Sequence, residues 1–294
     1  MKEIVYINRQ TGQQVIEKVP GGGMLKFLYG SPIGKLTLWA LVKRKLFSSL
    51  GGGYMNLKRS AKNIEPFIAD HGIDIAQFLV PENGYKHFND FFYRNIKPNA
   101  RPIGEGIVSP ADGKILVFEN IKQSRQFFLK GIPFSLGSFL RNQELAKKYE
   151  GGSMAIIRLA PADYHRFHFP YQGEVGEVTR IKGAYYSVSP LALRKSLRIF
   201  VENKREYCEL THPDIGNCLI IDVGATLTGS IIQTFDPHST VTKGQEKGYF
   251  AFGGSTTVLL FEPNRIEFSE DLIRNTKAGL ETTVLMGETV GKAC

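Results

Sequence analysis

The sequence predicts an α+β protein in which an N-terminal helical segment is followed by a β-rich domain of sandwich or barrel-like form. Apolar residues recur at helical spacing between Ser60 and about Arg94. From Ile103 onward the chain consists of short apolar runs separated by glycine. The composition, 42% hydrophobic and 22% charged, is that of an ordinary globular protein and supplies enough apolar residues for a substantial core.

The first region, residues 1–100, is predicted to be basic and largely helical. Two groups of apolar residues each fit one face of a helix. The first group is Ile64, Phe67 and Ile68, and the second is Ile75, Phe78 and Leu79. Pro81 and Asn83–Gly84 interrupt the pattern. Residues 1–60 contain ten Lys or Arg and two Glu, so they hold +8 of the total net charge of +9.

The segment between the glycine runs at 21–23 and 51–53, which we call the basic arm, differs from the rest. Its centre, Lys35–Phe47, mixes Leu, Trp and Phe with three consecutive basic residues, which is typical of an amphipathic helix in a membrane interface. It is too short and too charged to span a bilayer. A helix packed on the protein core would have a similar composition, and both interpretations stay open. No nucleic-acid-binding motif accompanies the arm, so nucleic acid is not an expected partner. The polar start of the sequence is not typical of a secretory signal.

The second region, residues 101–294, is predicted to form the β-rich domain. Its predicted strands are Lys114–Phe118, Ser153–Arg158, Gly173–Thr179, Cys218–Val223 and Thr257–Phe261. Runs of this length and spacing favour a curved antiparallel sheet or sandwich. The three cysteines are odd in number and form no close pair, which fits a reducing compartment better than a disulfide scaffold or a zinc site.

Three segments of this domain contain residues that are able to carry chemistry. They are Ser109–Gly113 with Asp112, Asp163–Pro170 with His165 and His168, and Gly248–Thr256 with Ser255. A serine hydroxyl becomes a nucleophile when a base removes its proton and a carboxylate orients that base. Each segment also has a plainer interpretation, as a turn or a strand end. No Cys or third His lies near the two histidines in the sequence, so no metal is expected.

Taken in order, these segments resemble the signature segments of the phosphatidylserine decarboxylases. The similar residues are Ser109–Gly113, Asp163–Pro170 and Phe252–Thr256, together with Phe88–Arg94, Arg101–Ile103 and Lys130–Ser135. The resemblance covers roughly residues 55–290, and three motifs in register are far more specific than one. The sequence departs from the family at Gly253, where many members have leucine, which leaves the strain of this turn open.

The resemblance implies a precursor that cleaves itself between Gly254 and Ser255. The products would be a β chain, 1–254, and an α chain, 255–294. The two glycines before the serine leave the attacked carbonyl uncovered and permit unusual backbone angles.

The resemblance also implies the role of each site residue. His168 would be the base for self-cleavage, Asp112 would orient it, and Ser255 would become a covalent pyruvoyl group, the cofactor of the mature enzyme. The pyruvoyl group would bind the substrate amine as a Schiff base, and His165 would deliver a proton after CO2 leaves. The implied activity is decarboxylation of phosphatidylserine to phosphatidylethanolamine.

The implied partners are the phosphatidylserine substrate, an anionic phospholipid membrane surface, and the β and α chains of one precursor, with a homodimer as a further option. The implied location is the cytoplasmic side of the cell membrane, as a peripheral protein. Arg166 and Lys243 are candidates for contact with the substrate phosphate. Three alternatives stay open: a pyruvoyl enzyme acting on a soluble amino acid, a serine hydrolase that uses Ser255 and keeps one intact chain, and a membrane-binding module without catalysis.

Overall fold

The computed structural model describes residues 4–17, 53–121, 135–184, 201–224, 230–251, 253 and 255–294. The centre of the basic arm, Lys35–Phe47, most of the Lys130–Ser135 segment, and Gly254 of the expected cleavage site lie outside these residues.

The elements of the described ranges follow the predicted change from helices to strands. The α-helices are α1 (Ile64–His71), α2 (Phe88–Phe92), α3 (Leu136–Leu140), α4 (Gln143–Lys148) and α5 (Glu270–Lys277), with short 3-10 helices at Lys58–Asn63 and Ile75–Gln77. The strands are β1 (Val5–Ile7), β2 (Gln14–Ile16), β3 (Ile107–Val108), β4 (Gly113–Phe118), β5 (Ser153–Leu159), β6 (Arg166–His168), β7 (Gly173–Val175), β8 (Thr179–Ile181), β9 (Arg205–His212), β10 (Gly216–Gly224), β11 (Ile231–Gln233), β12 (Thr240–Val241), β13 (Glu246–Phe250), β14 (Ser255–Phe261), β15 (Ile266–Phe268), β16 (Glu281–Val284) and β17 (Thr289–Ala293).

An eleven-stranded sheet forms the centre of the protein, in the order β12-β7-β9-β10-β14-β5-β4-β16-β1-β2, with β8 also paired to β9. Its strand pairs are antiparallel except that β1 runs parallel to β16. Two three-stranded sheets, β11-β13-β6 and β15-β17-β3, accompany it. The predicted α+β class and the β-rich character of the second region are confirmed.

The side chains of β14 alternate between the two faces of the large sheet, as expected for a strand. Leu260 packs in the apolar cluster that includes residues of α3 and α4, whereas Leu259 packs in the cluster that includes Phe167 and Phe250 of the β11-β13-β6 sheet. Both faces are therefore buried, which explains why the second half of this strand, Val258–Phe261, is apolar at every position. By the same alternation Ser255 is on the face of Leu259, towards the small sheet.

The N-terminal helices pack through a separate aromatic cluster that contains Phe88, Phe91 and Phe92 of α2. The second predicted group of apolar residues, around Phe78, forms only the short 3-10 helix at Ile75–Gln77. Phe78 itself has an extended backbone and forms an isolated bridge with Ile96. None of the helices in the described ranges is long and apolar enough to cross a bilayer.

A hairpin of β1 and β2 lies within residues 1–100, which we expect to be largely helical. It extends the large sheet beyond β16 and is held by buried or half-buried ion pairs. Arg9 donates to Asp271 with an Nε–Oδ2 distance of 2.8 Å. Arg158 of β5 binds Glu17 at 2.8 Å and Glu281 at 2.6 Å, and its side chain is only 5% exposed. The segment that leads into the basic arm is thus fixed to the large sheet.

Candidate active site

Ser255 is the first residue of β14 and pairs with Gly224 of β10 and Leu159 of β5. The residue is fully buried, and its Oγ has no hydrogen-bond partner among the described residues. A buried hydroxyl without a partner costs about 1–3 kcal/mol, so such an atom calls for a functional explanation. Gly253 has a φ of 138°, a backbone conformation that residues other than glycine rarely adopt. Glycine therefore suits the turn before Ser255.

His165 lies just before β6, with its ring buried 3.9 Å from that of Phe92 between centroids. Nδ1 donates to the carbonyl oxygen of Asp163 at 2.8 Å, which leaves the lone pair of the neutral ring on Nε2. Nε2 has no hydrogen-bond partner in the described part of the chain. Burial lowers the pKa of His165 to about 3, although the carbonyl and carboxylate of Asp163 oppose this. The backbone of Gly253 also favours the protonated ring, so His165 lies beside the turn that precedes Ser255.

His168 ends β6 and is held at both ring nitrogens. Nδ1 donates to the carbonyl oxygen of Gly244 at 2.9 Å, and Nε2 lies 3.2 Å from the hydroxyl oxygen of Tyr164. Because a carbonyl oxygen only accepts, the proton of the neutral ring is on Nδ1 and the Tyr164 hydroxyl donates to Nε2. Burial lowers the pKa of His168, while the Gly244 carbonyl and the Glu246 and Asp112 carboxylates act in the opposite direction.

Asp112 is fixed by a bidentate ion pair with Arg101. The Nε–Oδ1 distance is 3.1 Å and the Nη2–Oδ2 distance is 2.7 Å, and both side chains are 7% exposed. The backbone N–H of Met286 also donates to Oδ1, at 2.8 Å. Among the described residues Asp112 makes no hydrogen bond to the ring of His168, so its role in orienting that ring stays a prediction.

Backbone hydrogen bonds bring the predicted segments together. The N–H of His168 donates to the carbonyl oxygen of Pro110 at 2.7 Å, which joins the Asp112 turn to β6. The N–H of Phe250 donates to the carbonyl oxygen of His165 at 2.9 Å, which joins β13 to the histidine segment just before the Ser255 turn. The two histidines therefore lie between the Asp112 turn and the strand that leads to Ser255.

Sequence reasoning does not assign Arg101, Tyr164 and Lys114 to the site. Lys114 binds both carboxylate oxygens of Asp163 at 3.0 Å and so fixes the loop whose carbonyl holds His165. Arg101 and Tyr164 stand in segments that carry the family resemblance, and this is the signal that could have indicated them. Their contacts join residues that the sequence patterns alone do not connect.

The two candidate phosphate contacts are already engaged. Arg166 is paired with Glu246 at 2.8 Å, and the Nζ of Lys243 donates to the carbonyl oxygen of Gly104 at 2.8 Å. The Glu246 carboxylate balances the charge of Arg166, whereas the carbonyl oxygen of Gly104 does not neutralise that of Lys243, and contact of either residue with a phosphate stays a prediction. The described residues also contain no group of three or more His, Cys, Asp or Glu placed to hold a metal ion.

Comparison with known proteins adds the family. The sequence model of the family described as phosphatidylserine decarboxylase matches residues 88–292. A phosphatidylserine decarboxylase proenzyme of Fusobacterium nucleatum is 50% identical over 99% of this chain and 98% of its own length. The proenzymes of Clostridium novyi and Chlamydia trachomatis are 47% and 45% identical, over 98% and 99% of this chain and 99% and 98% of their own lengths. The family and the class of enzyme expected from the three motifs are thus confirmed, and the chain belongs to the phosphatidylserine decarboxylase family.

Proposed function

We propose that this chain is a self-cleaving precursor whose processed form removes CO2 from phosphatidylserine and releases phosphatidylethanolamine. The observation that carries the proposal is the buried Ser255 hydroxyl, which has no partner among the described residues and follows a turn in which Gly253 has a φ of 138°. His165 lies beside this turn, and His168 follows three residues later at the end of β6. The relatives' shared name, a decarboxylase proenzyme, supports the same conclusion.

The first reaction is the attack of Ser255 Oγ on the carbonyl carbon of Gly254. The hydroxyl proton goes to a base, the O–C bond forms and the C–N bond breaks, which leaves an ester and a free amine on Ser255. Loss of the α-proton of Ser255 then expels Gly254 as a carboxylate and leaves an unsaturated residue. Water converts that residue into a pyruvoyl group and ammonia. The products are the β chain, 1–254, and the α chain, 255–294.

We assign the base to His168 and its orientation to Asp112. Burial keeps the His168 ring neutral, and the hydrogen bond from Nδ1 to Gly244 leaves the basic lone pair on Nε2. The bidentate contact with Arg101 holds the Asp112 carboxylate in one orientation. The Tyr164 hydroxyl has to turn away from Nε2 before this atom accepts the proton of Ser255.

The surroundings of position 255 fit a pyruvoyl group, because Ser255 Oγ and His165 Nε2 are buried polar atoms without partners in the described ranges. Such a group supplies an electron-accepting ketone for the amine of the substrate. His165 would hold the proton that the product carbon takes up. Its pKa of about 3 keeps the ring neutral in the precursor. An incoming substrate carboxylate would raise that pKa and favour protonation of Nε2.

Because phosphatidylserine resides in a bilayer, we further propose peripheral attachment through the basic arm, at the cytoplasmic side of the cell membrane. Each Lys or Arg near an anionic leaflet contributes about 1 kcal/mol, so three or four such contacts give reversible binding. A pyruvoyl enzyme that acts on a soluble amino acid would not need this arm. Dependence of the activity on anionic lipid distinguishes the two.

The intact mass of the purified protein tests the self-cleavage. Wild-type protein should consist of two chains, and the smaller should begin with a ketone-bearing residue and not with serine. The Ser255→Ala variant should remain a single inactive chain, because it has no hydroxyl to attack Gly254. A serine hydrolase would show one intact wild-type chain with activity, and cleavage of Ser255→Ala at the same bond would disprove the mechanism.

A further inference from the structure

A β-bulge lies opposite His168 and aims a lysine into the protein interior. The register between β13 and β6 shifts between Glu246 and Gly248, so that Lys247 is an extra residue beside the pair Glu246–His168. Bulges of this kind redirect a side chain. Lys247 is fully buried, which is rare for lysine unless the ammonium group is paired.

The ammonium group of Lys247 is paired with Asp222 of β10. Nζ donates to Oδ2 of Asp222 at 2.5 Å and to Oε1 of Gln233 at 2.9 Å, and both members of the ion pair are fully buried. Burial alone would lower the pKa of Lys247, but the Asp222 carboxylate reverses this and the pKa is raised. The charged form of Lys247 is therefore favoured.

The second oxygen of Asp222 reaches the strand that carries Ser255. Oδ1 accepts a hydrogen bond from Oγ1 of Thr257 at 3.2 Å, and these two residues are also directly opposite in the β10–β14 register. Thr257 is two residues beyond Ser255 and on the same face of β14, because side chains alternate along a strand. Lys247, Asp222 and Thr257 thus form a polar brace from the strand beside His168 to the strand that begins with Ser255.

Such a brace is difficult to explain by stability alone. Removing two charges from water is costly, and an apolar replacement of a buried ion pair is often neutral or stabilising. The brace contacts β14 only two residues from Ser255. The side chain of Ser255 does not itself fix the position of the residue, because its Oγ has no hydrogen-bond partner in the described ranges. The position of Ser255 therefore depends on how β14 is held.

We propose that Asp222 and Lys247 are positioning residues for self-cleavage, which hold the start of β14 against β13 and β6 so that Ser255 Oγ is aligned with the Gly254 carbonyl. The inference rests on the proposed cleavage at Ser255. The brace touches none of the reacting atoms and acts through Thr257. A misplacement of about 1 Å in a reacting group can cost about a hundredfold in rate, so a small shift of β14 is sufficient.

The test measures the self-cleavage rate of newly synthesised precursor, by gel, at a temperature where thermal unfolding shows each variant to be folded. The double variant Asp222→Asn with Lys247→Met removes both charges together, so that no unpaired charge stays buried, and it should cleave about tenfold to a hundredfold more slowly. Thr257→Val removes only the hydroxyl at the other end of the brace and should slow cleavage about threefold to tenfold. Thr257→Ser keeps the hydroxyl and should cleave within about twofold of wild type.

Leu259→Ala is the matched control, since it destabilises the same face of β14 without touching the brace. It should cleave at close to the wild-type rate even if its melting temperature falls further than that of the double variant. Hydroxylamine, which cleaves an ester, should not restore chain cleavage in the double variant, because the slow step is formation of that ester.

A folded double variant or a Thr257→Val variant that cleaves at the wild-type rate would overturn the proposal, as would rescue by hydroxylamine or an equal slowing in Leu259→Ala. If the double variant does not fold, Thr257→Val with its serine control decides the question. Ser255→Ala in the same series separates this outcome from failure of the cleavage mechanism, because only that failure would allow Ser255→Ala to split.

Discussion

Replacing Tyr164 with phenylalanine removes a single hydroxyl from the candidate active site and should change the pH dependence of self-cleavage. The Tyr164 hydroxyl donates to Nε2 of His168, with an O–N distance of 3.2 Å. This hydrogen bond exists only while Nε2 is unprotonated, so it stabilises the neutral ring and lowers the pKa of His168. In the Tyr164→Phe variant that contribution is lost, and the pKa of His168 should rise.

The size of the shift follows from the single hydrogen bond. A buried hydrogen bond between neutral groups contributes about 0.5–1.5 kcal/mol, and one pKa unit corresponds to about 1.36 kcal/mol. The pKa of His168 should therefore rise by about 0.4 to 1 unit. Since self-cleavage needs the unprotonated ring, the acid limb of the rate profile should move to higher pH by the same amount, with the plateau rate little reduced.

The assay follows cleavage of precursor made by cell-free synthesis and then shifted to a series of pH values. Tyr171→Phe is a matched control, because the Tyr171 hydroxyl is buried and donates to the carbonyl oxygen of Leu210. It should leave the acid limb unchanged. An acid limb in Tyr164→Phe that coincides with wild type or moves to lower pH would refute His168 as the base. A wild-type limb near pH 3 would point to His165 instead, whose pKa is about 3.

Three further predictions concern other parts of the chain. His168→Ala and Asp112→Ala should block self-cleavage, whereas His165→Ala should still cut but decarboxylate about 10²- to 10⁴-fold more slowly. Cleavage is followed by gel and decarboxylation by CO2 release, and identical behaviour of the two histidine variants in both assays would contradict the division of roles. Glu17→Gln should lower the melting temperature by about 3–10 °C, because Arg158 loses a charged hydrogen bond worth about 1.5–3 kcal/mol, and an unchanged value by calorimetry would count against this role. Replacing residues 43–45 of the basic arm with glutamine should lower the affinity for anionic vesicles about a hundredfold at low salt and little at high salt, as measured by co-sedimentation. Equal sedimentation of the variant and the wild-type protein would favour an arm packed on the protein core.

The elements that the sequence predicts best are those with a strong local pattern. β5, β10 and β14 each contain a run of four apolar residues that is buried on both faces, and the predicted strands lie within these three strands. The hairpin of β1 and β2 has no such signal, because each strand has three residues and is partly exposed. Its partner β16 is more than 250 residues away in the sequence. Pairing over that separation leaves no trace in a local pattern.

The residues of the candidate site also differ in how well the sequence predicts them. Asp112, His165, His168 and Ser255 stand in short motifs that can be identified from the sequence. The residues that hold them do not, because Lys247 and Asp222 become partners only through a bulge and a contact between two sheets. A lone lysine in a strand predicts a solvated side chain, and its burial depends on a carboxylate 25 residues earlier in the chain. Chemistry-bearing residues are therefore easier to predict than the contacts that support them.

The position of β14 and β16 in the large sheet has a consequence for the life of the mature protein. β14 lies between β10 and β5, and β16 lies between β4 and β1, so these two strands of the segment 255–294 have all four of their neighbours in the segment 1–254. After a cut at residue 254 the two pieces are interleaved, and neither can leave without dismantling the sheet. Unfolded mature protein would then have to reassemble by a bimolecular encounter, at a rate that depends on its concentration. The native sheet would form once, before the cut, and afterwards its persistence would depend on slow unfolding and not on refolding.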